Sequence, residues 1–359
     1  MTSSSERSRL DALWYGPAGR WRALGATLLP LSLAYAAGLR LHRRLVRVQR
    51  LARPVISVGN LTLGGSGKTP LVVEIAARLE RLGARVAVVS RGYGRESRGP
   101  RLARLPGGPP PPAREVGDEP ALIARRLDAA AVAVGEDRAA AARLAVAAFE
   151  PDVLVCDDAF QHWGLARDLD LLCVHAQRGL GNRRLFPAGP LREPVAAARR
   201  ADLIVFTHAG EGDEAACLCA RHGLPSEIPA TVCRLEPGGL VAGDGLVPQA
   251  LPAGSRVAGA CAIAHPAGFF ASLSRAGLEL VQRSSLPDHE PMRPGWLAER
   301  ARRAQRRGAR ALVVTEKDLV RIQPGGSLCL PLLALRLEAV WQGDGAQRLD
   351  ALLNRVLGR

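Results

Sequence analysis

The stretch "PVISVGNLTLGGSGKTPLVVEIAARLERLG" (54–83) constrains the fold most strongly. It joins an apolar run, a glycine-rich turn ending in Gly-Lys-Thr, and a helical pattern that stops at Gly83. The apolar run reads as a buried strand, and the glycine after the last periodic residue reads as a helix stop. Strand, glycine turn and helix in that order make a phosphate cradle. Consecutive backbone N–H groups wrap an anion at a helix start, where the dipole adds to the attraction. Gly64, Gly65, Ser66 and Gly67 form the turn, Lys68 is placed for the β- and γ-phosphates, and Thr69 for Mg²⁺. The strict pattern asks for glycine at 62, where this chain has Thr62. Lys68 stands out all the same: it and Lys317 are the only lysines, against 47 arginines. A nucleotide triphosphate with Mg²⁺ is the expected ligand.

Further apolar runs at 85–90, 152–158, 170–175 and 202–207 alternate with helical stretches. Continuous apolar strands separated by helices predict a parallel sheet covered on both faces. Residues 97–113 read as an extended loop. A second α/β unit begins near 226, with runs at 256–264 and 311–318 and helices around 267–276 and 297–309. Pro237-Gly238-Gly239 between two short apolar runs is a hairpin signal. The expected organisation is α/β throughout. N-terminal membrane-associating helices (1–50) precede a P-loop core domain with a parallel sheet (51–225). A smaller α/β domain follows (226–359), joined by a β-hairpin linker near 226–255.

The net charge of +15 raises the question of nucleic acid. Its near-exclusive arginine content resembles genome-wide bias, and no zinc finger, basic zipper or RNP-type motif occurs. No nucleic-acid partner is expected, and no obligate protein partner is evident. Seven scattered cysteines without a C-x-x-C point to a reducing compartment rather than disulfides or zinc. The charge is densest in residues 1–50, with nine arginines against Glu6 and Asp11. Residues 23–39 carry no charge and are flanked by Arg20 and Arg22 before, and Arg40, Arg43, Arg44 and Arg47 after. A spanning helix needs about 20 apolar residues, and Pro30 should kink this one. A helix lying in the bilayer interface, arginines on the headgroups, is the expected arrangement. A spanning helix and a buried hairpin of a soluble domain are the alternatives.

Four further segments carry chemistry. "DVLVCDDAFQH" ends an apolar strand on Asp157 and Asp158, the form of a Walker B metal site. "VGDEP" sets Asp118 and Glu119 at a helix start, where adjacent acids also serve as caps. "LPDHEP" places His289 between acids, and "AGPLREP" pairs Arg192 with Glu193 in a loop. Each also has a plain reading, as a strand end, a helix cap, a surface loop or a surface ion pair.

Together with "SRGYGR", "RDLDLL", "RGLGNRRLFPAGPLREP" and "VTEKD", these segments resemble the tetraacyldisaccharide 4′-kinases, in family order from about residue 12 to 318. The resemblance implies an ATP- and Mg²⁺-dependent kinase at the cytoplasmic face of the bacterial inner membrane, peripheral or monotopic. Its substrate would be an acylated glucosamine disaccharide 1-phosphate, phosphorylated at the 4′-hydroxyl to give lipid IVA. Asp118 would be the base, coupled to His289, and Lys68 would act on ATP. Asp158 would support the base. Thr69, Asp157 and Glu193 would attend the metal, and Arg192 the phosphates. Tyr93, Arg138, Gln161 and His162 would lie near substrate or nucleotide. The chain departs from the family pattern at Ala159-Phe160, at Asp288-His289-Glu290 and at "AIAHP" (262–266). The competing expectation is a membrane-associated P-loop GTPase or regulatory ATPase. Thr315-Glu316-Lys317-Asp318 is placed like a guanine-reading N-K-x-D but lacks its Asn.

Overall fold

The computed structural model describes residues 11–16, 25–322 and 328–359. Arg20 and Arg22 of the basic flank lie outside them. Thirteen strands form one sheet: β1 (Val55–Gly59), β2 (Val86–Ser90), β3 (Arg101–Arg104), β4 (Ala131–Val134), β5 (Val153–Asp157), β6 (Leu169–His175), β7 (Leu203–Thr207), β8 (Ala230–Ala242), β9 (Val247–Gln249), β10 (Arg256–Cys261), β11 (Glu279–Ser285), β12 (Ala311–Thr315) and β13 (Leu332–Trp341). Their order is β11-β10-β12-β13-β8-β7-β6-β1-β5-β2-β4-β3, with β9 paired to β8.

The strands from β8 to β4 are parallel, and β3 closes that edge antiparallel to β4, within the segment expected to be a plain loop. Parallel pairing fits their composition, since β1, β2, β4, β5 and β7 are buried at every position. Two helices cover opposite faces. Lys68–Arg81 sets Leu71, Val72, Ile75 and Leu79 against Ile56, Val58, Val86 and Val155. Arg138–Phe149 sets Ala139, Ala142 and Ala145 against Val55, Val89, Leu154 and Cys156. Alternate residues of one strand thus serve two cores. A C-terminal helix, Gly345–Val356, returns to the first face through Leu349 and Leu353.

The sheet runs on past the boundary expected near 226, because β8 is shared. Its residues 230–232 pair parallel with β7, and Cys233 to Val241 pair antiparallel with β13. Pro237-Gly238-Gly239 is therefore not a turn but lies inside a 13-residue strand. Pro237 sits where β8 has β13 on one side only, so its missing N–H costs no ladder bond. Gly238 lets β13 approach, since a side chain there would collide with Glu338. The hairpin turn comes later, at 243–246, between Ala242 and Val247.

At the N-terminus, Leu29–Leu45 is a helix with Pro30 in its first turn, where proline's missing donor is harmless. Residues 25–27 are also helical, so Pro30 stands just after a break at Leu28 between two helical stretches. Of its residues, only Ser32 and Ala36 are buried, while Leu31, Leu33, Leu41 and Leu45 are 59%, 71%, 58% and 71% exposed. Ser32 Oγ donates to the Leu185 carbonyl (2.9 Å) and Tyr35 Oη to the Arg192 carbonyl (3.0 Å). Among the described residues no helix is long and apolar enough to cross a membrane.

Candidate active site

The glycine turn lies at the carboxyl end of β1. Gly67, with φ 72°, stands immediately before the helix Lys68–Arg81, and Gly64 has φ 110°. Both conformations favour glycine. Gly67 is also crowded: a Cβ there would lie 2.9 Å from Leu235 Cδ1 and 3.3 Å from His208 Nε2. Thr207 Oγ1 donates to the Ser66 carbonyl (2.7 Å), fixing the turn to the end of β7. Thr62, the departure from the strict motif, bridges antiparallel to Leu191. Its position is strand-like and has no need of glycine. The buried Ser66 hydroxyl has no protein partner.

Beside the turn, Lys68 Nζ lies 3.4 Å from Asp158 Oδ1. Arg192 Nη1 donates to both Asp158 oxygens at 2.9 Å and to Gln161 Oε1 at 3.3 Å, while Gln161 Nε2 donates to the Asn60 carbonyl. Burial would raise the Asp158 carboxyl, but Lys68, Arg192 and Arg138 outweigh it and hold the group well below the usual range. Its neighbour Asp157 behaves oppositely. Burial, then the charges of Glu119 and Asp158, push Asp157 up to about 7. Ser90 Oγ donates to Asp157 Oδ2 (3.1 Å), leaving the buried Oδ1 without a protein partner. Two adjacent carboxyls are therefore pushed in opposite directions at one strand end.

The second group lies at the start of the helix Asp118–Arg126. Asp118 Oδ2 is 3.2 Å from His289 Nδ1 and 3.5 Å from Arg321 Nε. His289 is in turn 3.8 Å from Asp288, its ring centroid is 5.9 Å from that of Tyr93, and its N–H donates to the Ala262 carbonyl. Tyr93 is 67% exposed. "VTEKD" locks this end together. Lys317 Nζ meets Glu119 (3.2 Å), both oxygens of Glu316 accept from Arg126 Nη1 (3.0 and 2.9 Å), and Asp318 accepts from Ala262 N (3.1 Å). These side chains thus brace the segments that carry Asp118 and His289. Arg321 lies just past the "VTEKD" segment and carries no motif signal in the sequence, whereas Lys317 stands inside that segment and is one of only two lysines.

Two expected site residues are held by protein partners. Arg138, 3% exposed, donates to the carbonyls of Gly135 (2.9 Å) and Asp157 (3.5 Å), so it holds the end of β5 beside the paired acids. Glu193, 2% exposed, receives both arms of Arg200 (2.8 and 2.9 Å), so each of its oxygens has an arginine partner. His162 is half-buried, and burial, then Arg138, pulls its imidazole down to about 4, so it is neutral at pH 7. Among the described residues no cluster of three His, Cys, Asp or Glu stands ready to hold a metal by itself. Magnesium beside a nucleotide needs only one or two protein ligands plus phosphate oxygens. Thr69 and the unpartnered Asp157 Oδ1 fit that demand.

The comparisons with known proteins agree. A family model described as tetraacyldisaccharide-1-P 4′-kinase (LpxK) matches residues 24–357. The tetraacyldisaccharide 4′-kinase of Anaeromyxobacter dehalogenans (strain 2CP-C) is 42% identical over 331 residues, covering 88% of this chain and 87% of its own. That of Geobacter sulfurreducens is 40% identical over 346 residues, with 94% of each chain covered. A crystal structure of apo-form LpxK from Aquifex aeolicus in complex with ATP matches with a TM-score of 0.75 and 30% identity, over 93% of this chain and 99% of that one. With a P-loop, a split pair of acids and an Asp–His couple set around one sheet edge, this chain belongs to the tetraacyldisaccharide-1-P 4′-kinase family.

Proposed function

We propose that this chain transfers the γ-phosphoryl group of ATP to the 4′-hydroxyl of an acylated glucosamine disaccharide 1-phosphate, giving lipid IVA. The hydroxyl oxygen forms the new bond to the γ-phosphorus, the bond to the β–γ bridging oxygen breaks, and ADP leaves. Asp118 accepts the hydroxyl proton, and His289 on its Oδ2 offers that proton a destination. The turn 64–67 and Lys68 hold the triphosphate, with Arg192 and Asp158 fixing where Lys68 points. Mg²⁺, when held by Thr69 and Asp157, neutralises charge on the phosphates. Gln161, His162 and Tyr93 line the acceptor side, where the exposed Tyr93 ring offers a surface for a sugar.

The observation that carries this reading is the Asp118–His289 couple, 3.2 Å apart, in a chain whose P-loop Lys68 is held 3.4 Å from Asp158. A membrane-held acceptor also suits the helix Leu29–Leu45. Its outward leucines and Arg40, Arg43 and Arg44 make an interfacial surface tied to Arg192 through Tyr35. We place the protein on the cytoplasmic face of the inner membrane on that ground. We also read the chain as three parts, 1–50, 51–225 and 226–359, with β8 as the shared strand. The test is to incubate the protein with γ-labelled ATP and the lipid disaccharide in detergent. Label should reach the lipid, and GTP at equal concentration should not displace ATP. Label released only as inorganic phosphate would leave a hydrolase in its place.

A further inference from the structure

The two acids that open the helix Asp118–Arg126 are sorted between two cations of the segment after β12. Glu119 goes to Lys317 (3.2 Å), while Asp118 Oδ2 has Arg321 Nε at 3.5 Å beside His289 Nδ1 at 3.2 Å. Gly117 precedes the helix and offers no side-chain cap, so the first N–H groups attract a nearby carboxylate. The pull that directs Asp118 to His289 has to come from another segment.

Arg321 is placed to supply that pull. Its side chain is 11% exposed, and its Nη2 donates to the Ala262 carbonyl (3.2 Å) and to Asp318 Oδ1. Asp318, 1% exposed, is itself fixed by Thr315 Oγ1 (2.6 Å) and by the Ala262 N–H (3.1 Å). The N–H of His289 donates to the same Ala262 carbonyl. Both partners of Asp118 Oδ2 are therefore anchored on one backbone oxygen, which fixes their placement relative to each other. A guanidinium is planar, always charged and forked, so it holds a carboxylate in one orientation. We propose that Arg321 is the positioning residue of the base: it keeps the Asp118 carboxylate on His289 and turned toward the acceptor hydroxyl. The inference rests on the kinase reading above, with Asp118 as the base. The contacts of Arg321 are with Asp118, Asp318 and the carbonyls of Ala262 and Lys317, so it acts on the reaction through Asp118.

The test measures kcat and KM with γ-labelled ATP and the lipid disaccharide in detergent. A small misplacement of a reacting group can cost about 10²-fold, so Arg321→Gln should lower kcat by that order. The KM for ATP should stay at the wild-type value. In an Asp118→Asn background, Arg321→Gln should add no further loss, because the group it positions is gone. Arg321→Gln also takes a cation from the buried Asp318. Where that variant melts early, Arg321→Gln with Asp318→Asn replaces it and should show the same lowered kcat. Wild-type kcat in either variant would overturn the proposal. So would a loss that multiplies with Asp118→Asn, or one matched by a rise in the KM for ATP, since each marks a general disturbance of the fold. Wild-type protein that puts no label on the lipid removes the kinase reading and this proposal with it. Transfer by the wild type with an unaffected Arg321→Gln removes the proposal alone.

Discussion

His289 Nδ1 stands 3.2 Å from Asp118 Oδ2, although 171 residues separate them in the chain. The contact joins a helix start on the β4 side of the sheet to a loop after β11, and it depends on braces from a third segment. Asp318 holds Ala262, Ala262 receives the His289 N–H, and Arg321 reaches Asp118. His289 itself has φ 64°, a left-handed conformation uncommon for a non-glycine residue and one that often marks a functional constraint.

If the two act as one proton acceptor, Asp118→Asn and His289→Gln should each lower kcat by about 10²- to 10⁴-fold. The KM for ATP should barely move, because neither touches the cradle. The double variant should be little worse than the worse single one, since groups acting as a unit are not additive. Multiplying losses in steady-state assays would show that the two act separately.

Asp157 links the site to stability. Its carboxyl titrates at about 7 in the folded chain, against about 4 when unfolded. Between those values the folded state keeps a proton that the unfolded chain has lost. The stabilisation is therefore complete below about pH 4 and disappears as pH rises through about 7. Asp157→Asn removes this titration while keeping the shape. Without nucleotide or Mg²⁺, urea midpoints should show the variant gaining on the wild type as pH climbs from 4 to 8. A difference that stays flat over that window would show Asp157 to be ionised throughout.

Much of this was legible in the sequence, for physical reasons that differ by element. β1, β2, β5, β6 and β7 are continuous apolar runs because they are buried on both faces, so their burial is written in their composition. In sequence β8 looks like two runs because Pro237 and Gly238 are turn residues by default, and only the one-sided pairing to β13 makes them acceptable in a strand. The acids were visible as residue types, but their partners were not. Nothing in "PLREP" indicates that Glu193 turns to Arg200 while Arg192 turns to Asp158. Lys317 meets Glu119 across 198 residues, a contact that no local pattern encodes.

The Glu193–Arg200 pair gives a test that separates structure from metal binding. Removing one partner from a buried ion pair strands the other and typically costs about 3–5 kcal/mol. Arg200→Met should show a loss of that order in chemical denaturation, and Glu193→Leu combined with Arg200→Met should recover most of it. If Glu193 instead serves the metal, Glu193→Gln would leave denaturation unchanged and raise the Mg²⁺ concentration needed for turnover.

The helix Leu29–Leu45 makes the last prediction. Leu33 and Leu41 are 71% and 58% exposed, so replacing them should leave the fold intact. Burying a leucine side chain is worth about 1.5–3 kcal/mol, so losing two from a lipid contact should weaken binding at least about a hundredfold. Leu33→Glu with Leu41→Glu should therefore abolish cosedimentation with phosphatidylglycerol vesicles while the circular dichroism and melting temperature stay unchanged. Transfer to the lipid disaccharide in vesicles should fall with binding, whereas ATP affinity, set some distance away at the P-loop, should not. Vesicle binding that survives both substitutions would move the membrane contact off this helix.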